Sequence, residues 1–239
     1  MKAIQCEQVS KAYGKQPVLQ AIDLQVEQGE FFGLVGMNGS GKSTMIKAIL
    51  DLIAIDSGSI RLFGLPHRKV HARDQVAYLP DRFAPPPHLR CRDFLDYMLR
   101  LHGSSKSPQQ VRHVLQQLGL DENVLAMSVG KLSKGMTQKL GLASCLLSEK
   151  SLLILDEPMS GLDPKSRYQF KQLLTELRDD SLTVFFSSHV LADVEELSDT
   201  MAVLHRHRIH YTGACSAFIE KYNCQTLEQA YIRSIAAVP

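Results

Sequence analysis

The sequence predicts an α/β protein built on a mostly parallel sheet covered by helices. Short apolar, β-branched or aromatic runs alternate with longer stretches of helical periodicity, and a run of glycines follows a fully apolar segment at 31–35. Beyond residue 84 the pattern turns to helix after helix, and strands return only near 152. In order, residues 4–9 and 22–26 read as half-buried strands and 31–35 as one buried on both faces, where alternation gives way to continuous apolar character. A helix is expected over 42–52, then strands near 59–63 and 75–79. Pro85-Pro86-Pro87 stiffens the chain, because each proline fixes φ and removes a donor. Helical spacing follows over 92–101. Ser107-Pro108 supplies an N-cap with proline at the first helical position, and another helix follows Ser133. Strands at 152–155, 183–186 and 201–204 alternate with helices opened by Asp163-Pro164 and after His189. Thr226 to Gln229 fit a capping box for a last short helix.

A chain of 239 residues with 44% hydrophobic content can bury a large core. Its 27 Lys and Arg nearly balance 25 Asp and Glu, so no large basic field exists to hold nucleic acid. No apolar run is long enough to span a bilayer, and the first residues lack the apolar centre of a secretory signal, which suggests a cytoplasmic protein. The five scattered cysteines form neither a disulfide framework nor a zinc pattern.

The strongest chemical feature is the stretch Gly36-Met37-Asn38-Gly39-Ser40-Gly41-Lys42-Ser43-Thr44, which fits G-x-x-x-x-G-K-[ST] between a buried strand and a helix. Its glycines let backbone N–H groups turn inward around an anion, and the helix N-terminus adds partial positive charge. Lys42 is placed to reach the β and γ phosphates of a nucleotide, and the Ser43 hydroxyl to ligand Mg²⁺. The apolar stretch 152–155 ends in Asp156 and Glu157. Asp156 suits the metal, and Glu157 is the candidate general base or water-positioning group. These parts alone leave kinases, GTPases and ATPases open.

Four further stretches, in order, resemble the ATP-binding cassette (ABC) ATPases. Leu132-Ser133-Lys134-Gly135-Met136 is similar to the family's signature Leu-Ser-Gly-Gly-Gln, and Ser160-Gly161-Leu162-Asp163 to its D-loop. His189 resembles the switch histidine, and Tyr13 the aromatic that stacks on adenine. The resemblance covers nearly the whole chain. It implies a P-loop NTPase core with an N-terminal antiparallel β subdomain, the core being 1–84 with 151–239 and the inserted helical subdomain 85–150. It implies ATP and Mg²⁺ as cofactors, and a homodimer or pseudo-dimer in which Ser133 and Gly135 of one protomer touch the γ-phosphate held by the other. Asp163 would lie at that seam, and His189 would sense the γ-phosphate.

Three positions depart from the family pattern. The Q-loop glutamine is replaced by Asp81, a shorter, charged group that can still ligand Mg²⁺. Lys134 and Met136 stand where the signature has Gly and Gln. This wording resembles the ATPase subunits of ABC-2 type exporters, and so implies a separate integral membrane permease subunit and a peripheral place on the cytoplasmic face of the cell membrane. The alternative is a soluble ABC ATPase acting as an assembly or mechanical factor. His205-Arg206-His207-Arg208-Ile209-His210 reads as a hairpin with His207 at a positive-φ turn position, against a metal reading that would use His205 and His207. Pro85 to Pro87 with Phe83 and Phe94 form either a rigid surface loop or part of a groove for a membrane partner's coupling helix.

Overall fold

The elements of the computed structural model run β1 (Lys2–Tyr13), β2 (Gln16–Glu27), β3 (Phe31–Val35), α1 (Lys42–Ile49), β4 (Ser57–Leu62), β5 (Leu65–Pro66) and β6 (Val76–Leu79). Then come α2 (Cys91–Leu101), α3 (Pro108–Gln117), α4 (Lys134–Leu147), β7 (Leu152–Asp156) and α5 (Pro164–Glu176). The chain closes with β8 (Thr183–Ser188), α6 (Leu191–Leu197), β9 (Thr200–His205), β10 (Arg208–Gly213), α7 (Cys215–Lys221) and α8 (Leu227–Ala236). The structure describes residues 1–178 and 181–236. Two compact units make up the chain, Met1–Gln75 with Asp180–Pro239, and Val76–Asp179.

In the first unit, β1 pairs antiparallel with β2 and β4, and β5 extends the edge beyond β4. β1 runs on to Tyr13, past the expected end at residue 9, because irregularities interrupt its alternation. Gln8 takes φ 51 there, and its amide N–H donates to Asp23 Oδ1 at 2.9 Å. β3 is buried at every residue and pairs parallel with β8 on one side and β9 on the other. Such a strand has water on neither face, which is why its sequence carries no polar alternation. α6 packs on β3 so closely that a Cβ at Gly33 would stand 2.7 Å from Val194 Cγ1. β10 returns antiparallel to β9 through a turn at Arg206 (φ 42) and His207 (φ 70). The hairpin reading of this stretch therefore holds. His207 Nδ1 meets the Val18 carbonyl at 3.3 Å, and the ring facing His205 is His210, 5.8 Å away between centroids. Among the described residues no three His, Cys, Asp or Glu groups come together to hold a metal.

α1 is shorter than the expected 42–52. It is capped at Leu50, and Asp51 takes a left-handed φ of 58. α7 is an element that the sequence reading did not contain. α8 follows, with the Gln229 N–H donating to Thr226 Oγ1 at 3.3 Å. The reciprocal arm of this cap reaches one residue further back than a capping box requires, as Gln229 Oε1 accepts from the Gln225 N–H at 3.1 Å. α8 packs against α7 and α6.

In the second unit β6 and β7 run parallel, with Val76 opposite Leu152. α4 lies on β6, and a Cβ at Gly141 would meet Leu79 at 2.6 Å and the Phe83 ring at 2.9 Å. α2 and α3 pack on α4. Ser107 caps α3, as its sequence predicts, and the structure adds a full capping box with Gln110. The proline run is tied down: the Gly130 N–H donates to the Pro87 carbonyl at 2.9 Å, and Phe83 meets Phe94 edge to face at 5.7 Å. No described helix is long and apolar enough to cross a membrane.

Candidate functional site

The first unit holds the loop Gly36 to Thr44. Gly36 leaves β3 where a Cβ would stand 2.4 Å from Ser40 Oγ and 2.5 Å from the Leu204 carbonyl, so no larger residue fits. Gly39 and Gly41 take φ 81 and 113, values that only glycine adopts readily. The Ser40 N–H closes the turn on the Met37 carbonyl at 3.1 Å. Lys42 is only 6% exposed, and its ammonium donates to the Gly36 carbonyl at 2.7 Å and the Met37 carbonyl at 3.4 Å. The cation therefore lies folded over its own loop. Ser40 Oγ is buried without a partner among the described residues. A cradle with an orphaned hydroxyl and a cation resting on carbonyls fits a polyphosphate. Ser43 and Thr44 are half-buried in the first turn of α1, and Asn38 is exposed at the rim.

His189 follows β8 and is exposed, with Ser188 beneath it accepting the Val190 N–H at 3.0 Å. It lines a cavity of about 310 Å³ together with Val35, Gly36, Met37, Asn38, Leu191 and Tyr231. Tyr13 stands at the end of β1, 50% exposed, with Lys11 Nζ 5.7 Å from its ring centroid. An exposed aromatic beside a cation offers a stacking face to a base.

The second unit holds the acids. Asp156 ends β7 and is 2% exposed; Glu157 follows at φ 51. A non-glycine residue in the left-handed region is costly and must be held there by its surroundings. Asp81 is exposed beyond β6. Burial first, then the charges of Asp156 and Asp81, push the Tyr78 phenol up to about 12. Both carboxylates thus act on one tyrosine. Hard oxygen donors such as the Asp156 and Asp81 carboxylates suit Mg²⁺, which keeps several ligands for water and phosphate and needs few from protein.

Ser133 is the N-cap of α4, its Oγ accepting the Met136 N–H at 3.2 Å. The hydroxyl proton remains available to donate. At Gly135 a Cβ would meet nothing nearer than the Gly161 carbonyl at 3.4 Å, so packing within the chain does not demand glycine there. The Lys134 side chain lies over Gly161, whose φ is 78. Asp163 caps α5, accepting from the Ser166 N–H at 3.0 Å and from Ser166 Oγ at 2.6 Å, and these bonds hold its carboxyl below the usual range. The sequence-assigned residues therefore fall into two groups. The loop, His189 and Tyr13 lie in one unit, and Asp81, Ser133, Gly135, Asp156, Glu157 and Asp163 in the other.

A family model described as "ABC transporter" matches residues 19–160, spanning the loop, the signature and the paired acids. The chain belongs to the ABC transporter family. Among its ABC relatives, an uncharacterized ABC transporter ATP-binding protein of Synechocystis is 36% identical over 200 residues, covering 82% of this chain and 56% of that protein. The Nod factor export ATP-binding protein I of Burkholderia orbicola is 34% identical over 224 residues, covering 92% of this chain and 74% of that one. This ABC chain thus spans from little more than half to about three-quarters of the length of these relatives. A solved ATP-binding subunit of an ABC transporter superposes with a TM-score of 0.88 at 28% identity, covering 97% of this chain and 99% of that one. Tyr231 lies outside the matched stretch, and sequence reasoning had no motif by which to find it.

Proposed function

We propose that this ABC chain binds and hydrolyses ATP as a dimer and drives transport, as an exporter, through a separate membrane subunit. The observation that carries the reading is a folded phosphate cradle at Gly36 to Thr44 in the same chain as an exposed helix N-terminus at Ser133, whose Gly135 answers to no internal packing. A helix start with a free O–H and room for close approach is a phosphate half-site awaiting a second copy. A relative named for export supports the direction of transport.

In this reading Tyr13 stacks on adenine. Lys42 leaves the Gly36 and Met37 carbonyls for the β and γ phosphates, while Asn38, Gly39, Ser40, Gly41 and Thr44 line the cradle. Ser43, Asp156 and Asp81 hold Mg²⁺, which neutralises charge on the phosphates when bound. Glu157 positions and deprotonates the attacking water, and His189 contacts the γ-phosphate. Ser133 and Gly135 of the partner protomer complete the site, with Asp163 at the seam. Catalysis then rests on positioning and on charge placed in advance. Residues 85–150 form the helical subdomain, and its proline run, with Phe94 and the preceding Phe83, receives the membrane subunit on the cytoplasmic face.

The test uses Glu157→Gln. This variant should bind MgATP, lose at least about 100-fold in turnover, as expected on removing a general base, and accumulate as a dimer by light scattering. Wild-type turnover in this variant would remove Glu157 from its role. Mild-detergent recovery of the tagged chain with a stoichiometric multi-span protein would support the transporter reading; recovery with soluble partners alone would replace it with the assembly-factor reading.

A further inference from the structure

The cavity beside the loop has a wall that no motif supplies. Tyr231 comes from α8, near the end of the chain, and lines the space shared by Gly36, Met37, Asn38 and His189. Its side chain is almost wholly buried, with 8% of the residue exposed, and its hydroxyl has no hydrogen-bond partner among the described residues. A buried phenol without a partner forfeits its solvation for nothing in return, so an unpaired one calls for a partner acquired in another state. Burial pushes this phenol above its ordinary value, and the Met37 N–H opposes the shift. Met37 lines the same cavity as Tyr231, and in this structure its amide and the phenol do not meet in hydrogen-bond geometry.

The same turn is where Lys42 now rests. Its ammonium donates to the carbonyls of Gly36 and Met37. A lysine drawn onto phosphate oxygens releases both carbonyls, and the turn loses the cation that pins it at the moment when its geometry matters most. Met37 keeps the Ser40 N–H on its carbonyl, and it lines the cavity together with the tyrosine. α8 is anchored on α6, the helix that follows His189, so the phenol is carried by an element packed on the helix that brings Leu191 to the cavity.

We propose that Tyr231 is a positioning residue for the P-loop, its phenolic oxygen closing onto the Met37 amide when Lys42 leaves for the nucleotide. The inference rests on the ATPase reading above. It makes α8, outside the stretch matched by the family model, part of the machinery that holds the loop in its working form. Tyr231 touches neither nucleotide nor water in this account; it acts through Met37.

The test is Tyr231→Phe in the full chain, which keeps the ring and removes the oxygen. With MgATP, kcat should fall about fivefold, the loss expected for one hydrogen bond made in the working state. KM and MgADP affinity should stay within about twofold, since the cradle's own donors are intact. A kcat within about twofold of wild type, or a loss carried wholly in KM, overturns the proposal. The second measurement needs no change at Tyr231 and so survives a variant that fails to fold. The chain has seven tyrosines and no tryptophan. In protein labelled with 3-fluorotyrosine, the Tyr231 ¹⁹F resonance is assigned by elimination, changing the other six to Phe one at a time. Saturating the wild type with Mg²⁺ and a non-hydrolysable ATP analogue should shift that resonance; an unmoved resonance overturns the proposal. A wild-type chain that neither binds nor hydrolyses MgATP overturns the ATPase reading and this inference together. An active wild type with an indifferent Tyr231 overturns only the inference.

Discussion

At the scale of single residues, the signature serine carries two loads that substitution can separate. Ser133 Oγ accepts the Met136 N–H and so caps α4, while its O–H is the group proposed for a partner's γ-phosphate. Ser133→Ala should cost about 1 kcal/mol of stability, as loss of an N-cap does, and should also reduce ATP turnover. Ser133→Asp restores a good cap but places a carboxylate where a phosphate must come, so its melting temperature should recover and its turnover should not. Calorimetry beside an ATPase assay decides it; turnover that rises and falls with the melting temperature would reduce Ser133 to a structural cap. The cap was legible in the sequence because a serine ahead of a helical run marks a helix start, and that chemistry is local. Tyr231 was not legible. A tyrosine on an amphipathic C-terminal helix looks like any core aromatic, and only the fold brings it to Met37.

At the scale of elements, the alternating pattern marked β3, β7, β8 and β9 because parallel strands buried on both faces leave unbroken apolar runs. It marked β1 only in part. The left-handed Gln8 breaks the period, and a reading by alternation stops where the strand only kinks. α7 escaped because its N-cap, Ala214, has no hydrogen-bonding side chain to announce a helix start. A close element contact lies under the loop, where α6 meets β3. Gly33→Ala puts a methyl 2.7 Å from Val194 Cγ1 and should destabilise the chain by about 1–3 kcal/mol, the usual result of overpacking. Adding Val194→Ala should return much of that loss, because the two residues share one space. Urea unfolding of the four proteins measures the coupling, and purely additive losses would mean that the strand yields elsewhere.

At the scale of the whole molecule, the question is whether one chain holds a complete site. The glycine pattern is informative here. Gly33, Gly36 and Gly141 are each demanded by atoms of their own chain within 3 Å of a would-be Cβ, whereas Gly135 meets nothing closer than 3.4 Å and has no positive φ to require it. A glycine that its own chain does not need is explained by something that arrives from outside, and a second copy presenting a nucleotide is the proposal. Under it, mixing two inactive chains should restore activity. In a dimer of Lys42→Ala with Ser133→Ala, one site combines both defects and the other combines an intact loop with an intact signature. By random exchange in a two-fold dimer about a quarter of the sites should be whole, and steady-state hydrolysis should rise with mixing toward that fraction. Placing both substitutions on one chain and mixing it with wild type makes the contrast: every mixed dimer then carries one defect in each site, and activity should fall below simple dilution. If each chain instead completed its own site, the first mixture would stay silent and the second would follow dilution, and the signature would have to act within its own protomer.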